Sequence, residues 1–355
     1  MIDEKIVEIR KTDRSRINEV DFDNLPFGRV FTDHMLVMHY DNGEWSRPVI
    51  QAFQNLNLNP AISAIHYGQS IFEGMKAYKN EAGEVLLFRP EENARRLNKS
   101  AKRMCMPEIP EDVFMAGLKE LVRLDSNWIP QNEESSLYIR PFMFATDEYI
   151  GIKPSDTYMF GIFCCPVGAY YSEPIKVKIE TSYTRAANGG VGEAKAAGNY
   201  AASLYPAKLA KEEGYHQLVW TDAKTHEYIE EAGTMNVIFQ INDTLITPEL
   251  TGTILPGITK KSVLEIAKHW GVNVEERKVS VAEIRTALEN GTLKDAFGAG
   301  TAATIAQIQS IGFNDGKVFT LPDFNQRDFS NKVYKYINSL KRGNETDVFG
   351  WTMKI

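Results

Sequence analysis

Hydrophobic positions in the first half of the chain follow two periods, one typical of strands and one typical of helices. Four segments are extended or continuously apolar: 30–40, 46–58, 136–145 and 157–167. Two segments have helical spacing: 91–104 and 110–125. In the first of these, Ala94, Leu97 and Ala101 share one face after Pro90, as in an amphipathic helix. We therefore predict a small domain of mixed helices and strands over 1–167.

The pattern breaks at 168–175, where GAYYSEP precedes a new strand-like alternation. We predict an interdomain loop there and a second domain over 176–355. The predicted strands of the second half are 175–183, 216–221, 226–231 and 235–241. Its predicted helices are 199–213, 259–270, 280–290 and 327–342. Glycine-rich loops are expected at 188–199 and at 297–303.

The composition of the 355 residues is that of an ordinary globular protein, with 43% apolar and 25% charged residues. The net charge of −7 gives no electrostatic reason to expect a nucleic acid or an anionic membrane as a partner. The longest apolar run, 158–171, is too short to cross a bilayer, and the charged stretch 1–16 has no signal-peptide core. The three cysteines form neither a disulfide framework nor a CxxC site. These features predict a soluble, cytoplasmic protein.

Lys195 is the first candidate for chemistry, because glycine and alanine surround it in GGVGEAKAAGN. Small neighbours let a bulky planar group approach the backbone. A solvated loop lysine is the alternative, and residue type alone favours it. The six histidines have no metal-ligand spacing, so no metal site is expected.

Two loops of the second half have the composition of anion sites. The turn LPGIT opens a helix whose first free amides, near Thr259, attract negative charge. Residues 252–259 differ from a phosphate-binding P-loop because Ile258 stands where that loop has lysine. A plain helix start is the alternative interpretation. The second loop, FGAGTAAT at 297–304, has similar small residues, and together the two loops indicate one phosphate held from two sides.

Charged residues in apolar surroundings are the remaining candidates. Of the adjacent Glu230 and Glu231, we expect Glu231 to point inward to a cationic partner and Glu230 to be exposed. Arg140 lies within the apolar strand LYIRPFMF, where it forms either a structural ion pair or a receptor for a substrate carboxylate. In the helix at 91–104, at most one of Arg95 and Arg96 should turn inward.

A lysine for a Schiff base, a phosphate cup and a buried carboxylate for a pyridine nitrogen are the groups that pyridoxal phosphate needs. The motifs EAGTMN, GEAKAAGNY, LPGITKKSVL and FGAGTAA resemble those of the class IV (fold-type IV) pyridoxal-phosphate aminotransferases. In the first half, FGRVFTDHML, QNLNLNPAISAIHYGQSIFEGMKAY and SSLYIRPFMF resemble the longer type of branched-chain-amino-acid aminotransferase. The resemblance extends over 25–355.

This resemblance implies an α+β, two-domain enzyme of fold type IV, with a small α/β N-terminal domain and a larger C-terminal domain of barrel-like mixed sheet and helices. It implies reversible transfer of the amino group between L-leucine, L-isoleucine or L-valine and 2-oxoglutarate. Lys195 would be the Schiff-base lysine and would move a proton between the substrate Cα and the cofactor C4′. Glu231 would pair with the pyridine nitrogen. The other cofactor-binding residues that it implies are Arg96, Arg185, Tyr200, Thr234, Ile258, Thr259 and Thr301.

For the substrate, the resemblance implies an apolar pocket with a charge receptor at its edge. Arg140 would receive the distal carboxylate of glutamate or 2-oxoglutarate. The α-carboxylate would be held by Tyr67 and by the amides of Thr301 and Ala302. The residues that would line the side-chain pocket are Phe27, Phe72, Tyr138 and Tyr170. Ile150 and Ile152 would lie on a loop that reaches the neighbouring subunit's site, which implies a homodimer.

Other classes of protein explain the sequence less well. D-amino-acid aminotransferases and aminodeoxychorismate lyases share the cofactor but are usually shorter and lack VFTDHM and LYIRP. A P-loop nucleotide hydrolase is disfavoured by Ile258 and by the lack of a suitable Mg²⁺-binding aspartate. A non-catalytic binding module leaves the lysine, carboxylate and arginine candidates without a common explanation. Because Ala303 and Ala306 stand where animal relatives have a CxxC, redox regulation by such a pair is not expected.

Overall fold

The computed structural model describes residues 6–171 and 173–355. Residues 1–5, part of the charged start of the chain, and Ser172, part of the predicted interdomain loop, lie outside the described residues. No helix in the described part of the chain combines the length and the apolar character that a bilayer span needs.

The chain divides into two compact units. The first contains the chain up to Tyr170 together with Ala194–Gly198 and Ser339–Ile355. The second contains Tyr171–Glu193 and Asn199–Asn338. The predicted division at 168–175 treats the whole C-terminal part as one domain, whereas two of its segments belong to the first unit.

The strands are β1 (Glu8–Ile9), β2 (His34–Asp41), β3 (Glu44–Trp45), β4 (Val49–Ala52), β5 (Ser70–Phe72), β6 (Met75–Lys79), β7 (Val85–Phe88), β8 (Ser136–Ala145), β9 (Tyr158–Val167), β10 (Ile175–Glu180), β11 (Gln217–Thr221), β12 (Ile229–Ala232), β13 (Met235–Ile241), β14 (Thr244–Pro248), β15 (Asn273–Arg277), β16 (Leu293–Gly300), β17 (Thr304–Gly312), β18 (Val318–Thr320) and β19 (Thr352–Lys354). The helices are α1 (Ser63–Tyr67), α2 (Pro90–Arg103), α3 (Glu111–Leu124), α4 (Ala197–Ala201), α5 (Leu204–Glu212), α6 (Ile258–His269), α7 (Val281–Glu289) and α8 (Asp328–Lys341).

The sheet of the first unit is built around the long antiparallel pair β8 and β9. Within the described residues its order is β1-β4-β2-β9-β8-β6-β7-β19, with β3 paired to β2 and β5 paired to β8. Residues two apart on a strand share a face, so Tyr138 and Arg140 of β8 lie on the same face, as the alternation predicts. The C-terminal β19 pairs with β7, which explains why the end of the chain belongs to this unit.

The two long helices of the first unit follow their sequence signals closely. Helix α2 begins with proline at its first position, and it has two glutamates in its first turn and two basic residues in its last. Ala94, Leu97 and Ala101 are all buried, which confirms the predicted apolar face. Helix α3 buries Phe114 and Leu118 in the same way.

A closed ring of six strands forms the centre of the second unit. Its order is β12-β11-β10-β17-β16-β13, and the pairing of β13 with β12 closes it. Val177, Val237 and Ile308 are fully buried in the apolar cluster that these strands form. Helices α6 and α7 pack against β16. The barrel-like larger domain implied by the family resemblance is therefore confirmed.

Several predicted elements differ from the structure. The helix predicted over 199–213 is two helices, α4 and α5, because Pro206 cannot donate a helical hydrogen bond and occurs only in a first turn. The loop predicted at 297–303 is shorter: β16 extends to Gly300 and β17 starts at Thr304. Strands β14 to β18 had not been predicted, and the small residues at the junction of β16 and β17 resemble a loop.

Candidate active site

The backbone of Lys195 is fixed within the first unit. The amide of Phe72 donates a 3.1 Å hydrogen bond to the Lys195 carbonyl, and the Lys195 amide donates to Ser100 Oγ at 3.0 Å. Ala196 forms a β-bridge with Ile71 of β5. The half-buried side chain places Nζ 4.7 Å from the centre of the Phe72 ring. Lys195 is thus a half-buried lysine with a fixed backbone, and its role as the Schiff-base lysine stays a prediction.

Glu73 is a buried carboxylate that the sequence analysis missed. Its side chain is fully buried, and Arg96 donates to it from Nε at 2.7 Å and from Nη2 at 2.9 Å. Asn93 donates a further bond of 2.7 Å. Burial raises the pKa of Glu73, but the Arg96 and Lys195 charges and these hydrogen bonds outweigh it and leave the pKa lowered. The available signal was one acidic residue inside the apolar stretch SIFEGM.

Arg96 is the inward-facing member of the Arg95–Arg96 pair. Arg96 is 7% exposed, whereas Arg95 lies at the surface and contacts Glu111 at 3.4 Å. The expectation that at most one of the two arginines turns inward is therefore confirmed. The role of Arg96 in phosphate binding stays a prediction, since its hydrogen bonds described above go to Glu73.

Arg140 lies in a cluster of aromatic rings within the first unit. Its Nη2 donates to the Tyr138 hydroxyl at 3.0 Å, and its guanidinium carbon is 4.6 Å from the Phe72 ring centre. The Phe27 ring lies 5.1 Å from that of Tyr138 and 5.0 Å from that of Tyr170. The predicted side-chain pocket residues therefore form one continuous cluster.

Arg140 is not in a structural ion pair. Among the described residues no carboxylate lies within ion-pair distance of it, and its buried Nε has no hydrogen-bond partner. Gly74 leaves space beside this group, because a Cβ there would lie 2.2 Å from the Tyr138 hydroxyl oxygen. The cation is thus held by aromatic rings and a hydroxyl.

Tyr67, Ile150 and Ile152 lie at the surface of the first unit. Their exposed fractions are 42%, 67% and 93%. The amide of Ser63 in α1 donates to the Asp147 carbonyl at 2.9 Å, so α1 and the loop after β8 are neighbours. The substrate and dimer roles predicted for these three residues stay predictions.

Glu231 is held in the second unit by Arg185, Asn236 and the Leu255 amide. Its Oε2 contacts Arg185 Nη2 at 2.7 Å, and its Oε1 accepts hydrogen bonds from Asn236 Nδ2 and the Leu255 amide, both at 3.1 Å. Asn236 also donates to the Leu255 carbonyl at 3.0 Å. The inward position predicted for Glu231, with a cationic partner, is confirmed.

The exposed position predicted for Glu230 is wrong. Its side chain is buried, and Thr253 Oγ1 donates to its Oε1 at 2.5 Å. Burial raises its pKa, although the Thr253 bond and the Arg185 charge oppose that effect. The physical reason is that both faces of β12 are covered, since all four of its residues are buried and Thr253, in the segment before α6, lies against Glu230.

Helix α6 presents the predicted anion-binding turn. Gly257 is its N-cap, and Ile258 and Thr259 form its buried first turn, where backbone amides have no partner within the helix. A Cβ at Gly257 would lie 1.8 Å from Asn236 Oδ1, so only glycine fits there. The next residue, Lys260, turns away and donates to the Pro248 carbonyl at 2.7 Å.

Four other predicted residues of the second unit differ in exposure. Tyr200, Thr301 and Ala302 are half-buried, the last two in the turn between β16 and β17, whereas Thr234 is exposed in the turn after β12. The roles predicted for these four residues stay predictions.

Each unit contains part of the donor set that pyridoxal phosphate requires. The first has a positioned primary amine at Lys195 and a buried cation at Arg96. The second has a buried carboxylate at Glu231 and an open helix N-terminus at Thr259. The residues present therefore fit the cofactor.

Comparison with known proteins gives a consistent result. A family model for amino-transferase class IV matches residues 70–311. Branched-chain-amino-acid aminotransferase 2 of Bacillus subtilis (strain 168) is 46% identical, covering 94% of this chain and 93% of that protein. Branched-chain-amino-acid transaminase 1 of the same organism is 42% identical over 99% of both chains. A solved structure of the branched-chain amino acid aminotransferase from Escherichia coli has a TM-score of 0.72 at 27% identity, covering 90% of this chain and 98% of that one. The chain therefore belongs to the branched-chain-amino-acid aminotransferases of the class IV family.

Proposed function

We propose that this protein reversibly transfers the amino group between L-leucine, L-isoleucine or L-valine and 2-oxoglutarate. The observation that supports this best is Arg140, a cation set among aromatic rings with no carboxylate partner in the described residues. Such a transaminase must accept an apolar side chain and then a distal carboxylate in turn. Rings with a cation at their edge serve both substrates.

Lys195 is the residue to which we assign proton transfer. When bound, pyridoxal phosphate supplies the electron sink that lets a proton leave the substrate Cα. Lys195 Nζ takes that proton and returns it at the cofactor C4′. The backbone hydrogen bonds to Phe72 and Ser100 support this role, because they limit the arc over which Nζ can move.

The remaining cofactor contacts follow from charge and hydrogen-bonding capacity. Glu231 holds the protonated pyridine nitrogen, and Arg185, its partner at 2.7 Å, fixes the orientation of the carboxylate. Tyr200 donates to the ring 3′-oxygen. The residues that bind the phosphate are Arg96, the Ile258 amide, Thr259 and Thr301, with Thr234 nearby. Burial of Arg96 and Thr259 supports the assignment, since a desolvated donor binds an anion more strongly.

The substrate contacts are assigned by the same reasoning. Tyr67 and the amides of Thr301 and Ala302 hold the α-carboxylate. Arg140 receives the distal carboxylate of glutamate. The aromatic cluster of Phe27, Phe72, Tyr138 and Tyr170 receives the branched side chain.

We further propose a homodimer in the cytoplasm. Ile152, with 93% of its surface exposed, and Ile150 would be covered by the second subunit. Three free cysteines, two of them buried, are typical of a reducing compartment.

The visible absorption spectrum tests the function directly. The purified protein with pyridoxal phosphate should be yellow, and leucine without a keto acid should convert the band to that of the pyridoxamine form. Lys195→Ala should stay folded and lose both the band and the activity. Lys208→Ala, which removes an exposed lysine of α5, is the matched control and should behave as wild type. A band that ignores leucine but responds to D-alanine would contradict the proposed substrate.

A further inference from the structure

Glu230 is a buried carboxyl group that the roles above do not use. It is 6% exposed and adjacent to Glu231 on β12. Oε1 accepts the Thr253 hydrogen bond, but the buried Oε2 has no hydrogen-bond partner in the described part of the chain. An unsatisfied buried carboxylate oxygen costs folding free energy, so stability of the fold does not explain this residue.

Thr253 links Glu230 to the Arg185–Glu231 pair. The Thr253 carbonyl accepts a hydrogen bond from Arg185 Nη2, the same nitrogen that contacts Glu231. The Thr253 hydroxyl donates to Glu230, and the charge of Arg185 acts on the Glu230 carboxyl group. One guanidinium therefore lies in the field of two acidic side chains.

We propose that Glu230 is a positioning residue that offsets the charge of Arg185, so that Arg185, Glu230 and Glu231 together present a net negative charge to the cationic ring nitrogen. This inference rests on the role proposed for Glu231. Arg185 and Glu231 alone sum to zero charge, whereas an ionised Glu230 brings the three groups to −1. In a buried site a net charge of −1 favours a protonated pyridine ring much more than a neutral pair does.

Two further charged groups act on these three residues. Asp222 raises the pKa of Glu230, since a second negative charge disfavours ionisation. Lys260 acts on Glu231 but has its own carboxylate, Glu276, at 3.3 Å. Neither group replaces Glu230 as the counter-charge of Arg185.

Glu230→Gln tests the inference, because glutamine has the same shape and can still accept the Thr253 bond. The Kd of the apoprotein for pyridoxal phosphate is measured from pH 5 to 9 by equilibrium dialysis. Above the pKa of Glu230 the Kd should rise about tenfold, and the pH midpoint of the visible band should fall by about one unit. In acid, where Glu230 of the wild type is protonated and as neutral as glutamine, the two Kd values should converge. Glu227→Gln, the same charge change at an exposed position close by, should match wild type.

Stability of the apoprotein separates this role from a structural one. Glu230→Gln removes a buried charge, so its melting temperature should equal or exceed that of wild type while its cofactor affinity falls. Thr253→Val, which deletes the hydroxyl, should also weaken cofactor binding, and Thr253→Ser should restore it. An unchanged Kd with a lower melting temperature would overturn the inference. If wild type forms no visible band, the proposed function fails instead; if wild type transaminates and Glu230→Gln binds the cofactor equally well, only this inference fails.

Discussion

Replacing Glu73 with glutamine should destabilise the first unit strongly, because it leaves Arg96 as a buried cation without its counter-charge. Glu73 is fully buried and accepts hydrogen bonds of 2.7 and 2.9 Å from Arg96. Removing one partner of a buried ion pair costs about 3–5 kcal/mol. At about 2–4 °C per kcal/mol for a unit of this size, the melting temperature of the apoprotein should fall by roughly 6–20 °C.

Glu111→Gln is the matched control for this experiment. It removes the same charge from an ion pair with Arg95 whose two side chains are about half exposed, at 48% and 52%. Exposed pairs contribute little, because water screens the charges and the side chains lose entropy. Thermal and urea unfolding of the two apoproteins should therefore give clearly different losses. Equal losses would refute the interpretation of Glu73 and Arg96 as a buried charge pair.

The pH dependence of the Glu73 effect has a definite sign. Burial raises the pKa of Glu73, but Arg96, Lys195 and the hydrogen bonds lower it below its usual value. A carboxyl group whose pKa is lower in the folded state stabilises the fold above its unfolded pKa and loses that contribution as the pH falls through the folded pKa. The difference between wild type and Glu73→Gln should thus be largest near neutral pH and shrink in acid. A difference that grows as the pH falls would contradict this sign.

Two other perturbations give separate tests. Arg140→Met keeps a long side chain but removes the cation. The kcat/KM for glutamate should therefore fall roughly 10- to 150-fold, as for a lost charged hydrogen bond, and the kcat/KM for leucine should fall much less. Stopped-flow measurement of the two half-reactions gives both values, and equal losses would make Arg140 structural. Burial, with a smaller contribution from Arg342, lowers the pKa of Lys76 to about 8. The folded state then binds fewer protons than the unfolded state between about pH 8 and 10, so the apoprotein should gain stability with rising pH. Lys76→Met should flatten the plot of stability against pH between about pH 8 and 10, whereas the control Lys208→Met should leave it unchanged. Equal slopes in wild type and both variants would contradict the assignment of this pH dependence to Lys76.

The parts of the fold that the sequence predicts best are long and locally periodic. Strand β8 spans the predicted 136–145, and α2 and α3 begin and end within one residue of their predicted bounds. Each contains enough turns or alternations to show its period, and α2 also has a proline start and complementary end charges. Strand β16, by contrast, ends in the small residues of FGAG and resembles a loop, so its identity depends on its partners β13 and β17.

The same distinction explains which site residues the sequence predicts. The sequence indicates Lys195, Glu231 and Arg140 because each is a charged residue whose neighbours in the sequence are mainly small or apolar. Glu73 is likewise a charged residue among apolar neighbours, but its structural role depends on its ion pair with Arg96, which is 23 positions away on a helix. No local pattern shows that pairing, and the several basic residues of the helix suggest a solvated face rather than a buried arginine.

Glu230 shows how a local argument can fail for a definite physical reason. In a hairpin with one open face, adjacent residues alternate between core and solvent, so burial of Glu231 implies exposure of Glu230. Here both faces of β12 are covered, because Thr253 packs on Glu230 while Arg185 and the Leu255 amide contact Glu231, and both carboxyl groups are buried. Two adjacent buried acids would repel each other and oppose folding unless a cation lay between their fields. Arg185, bonded to Glu231 and acting on Glu230, supplies that cation, and both acids together are needed to give the three groups a net negative charge.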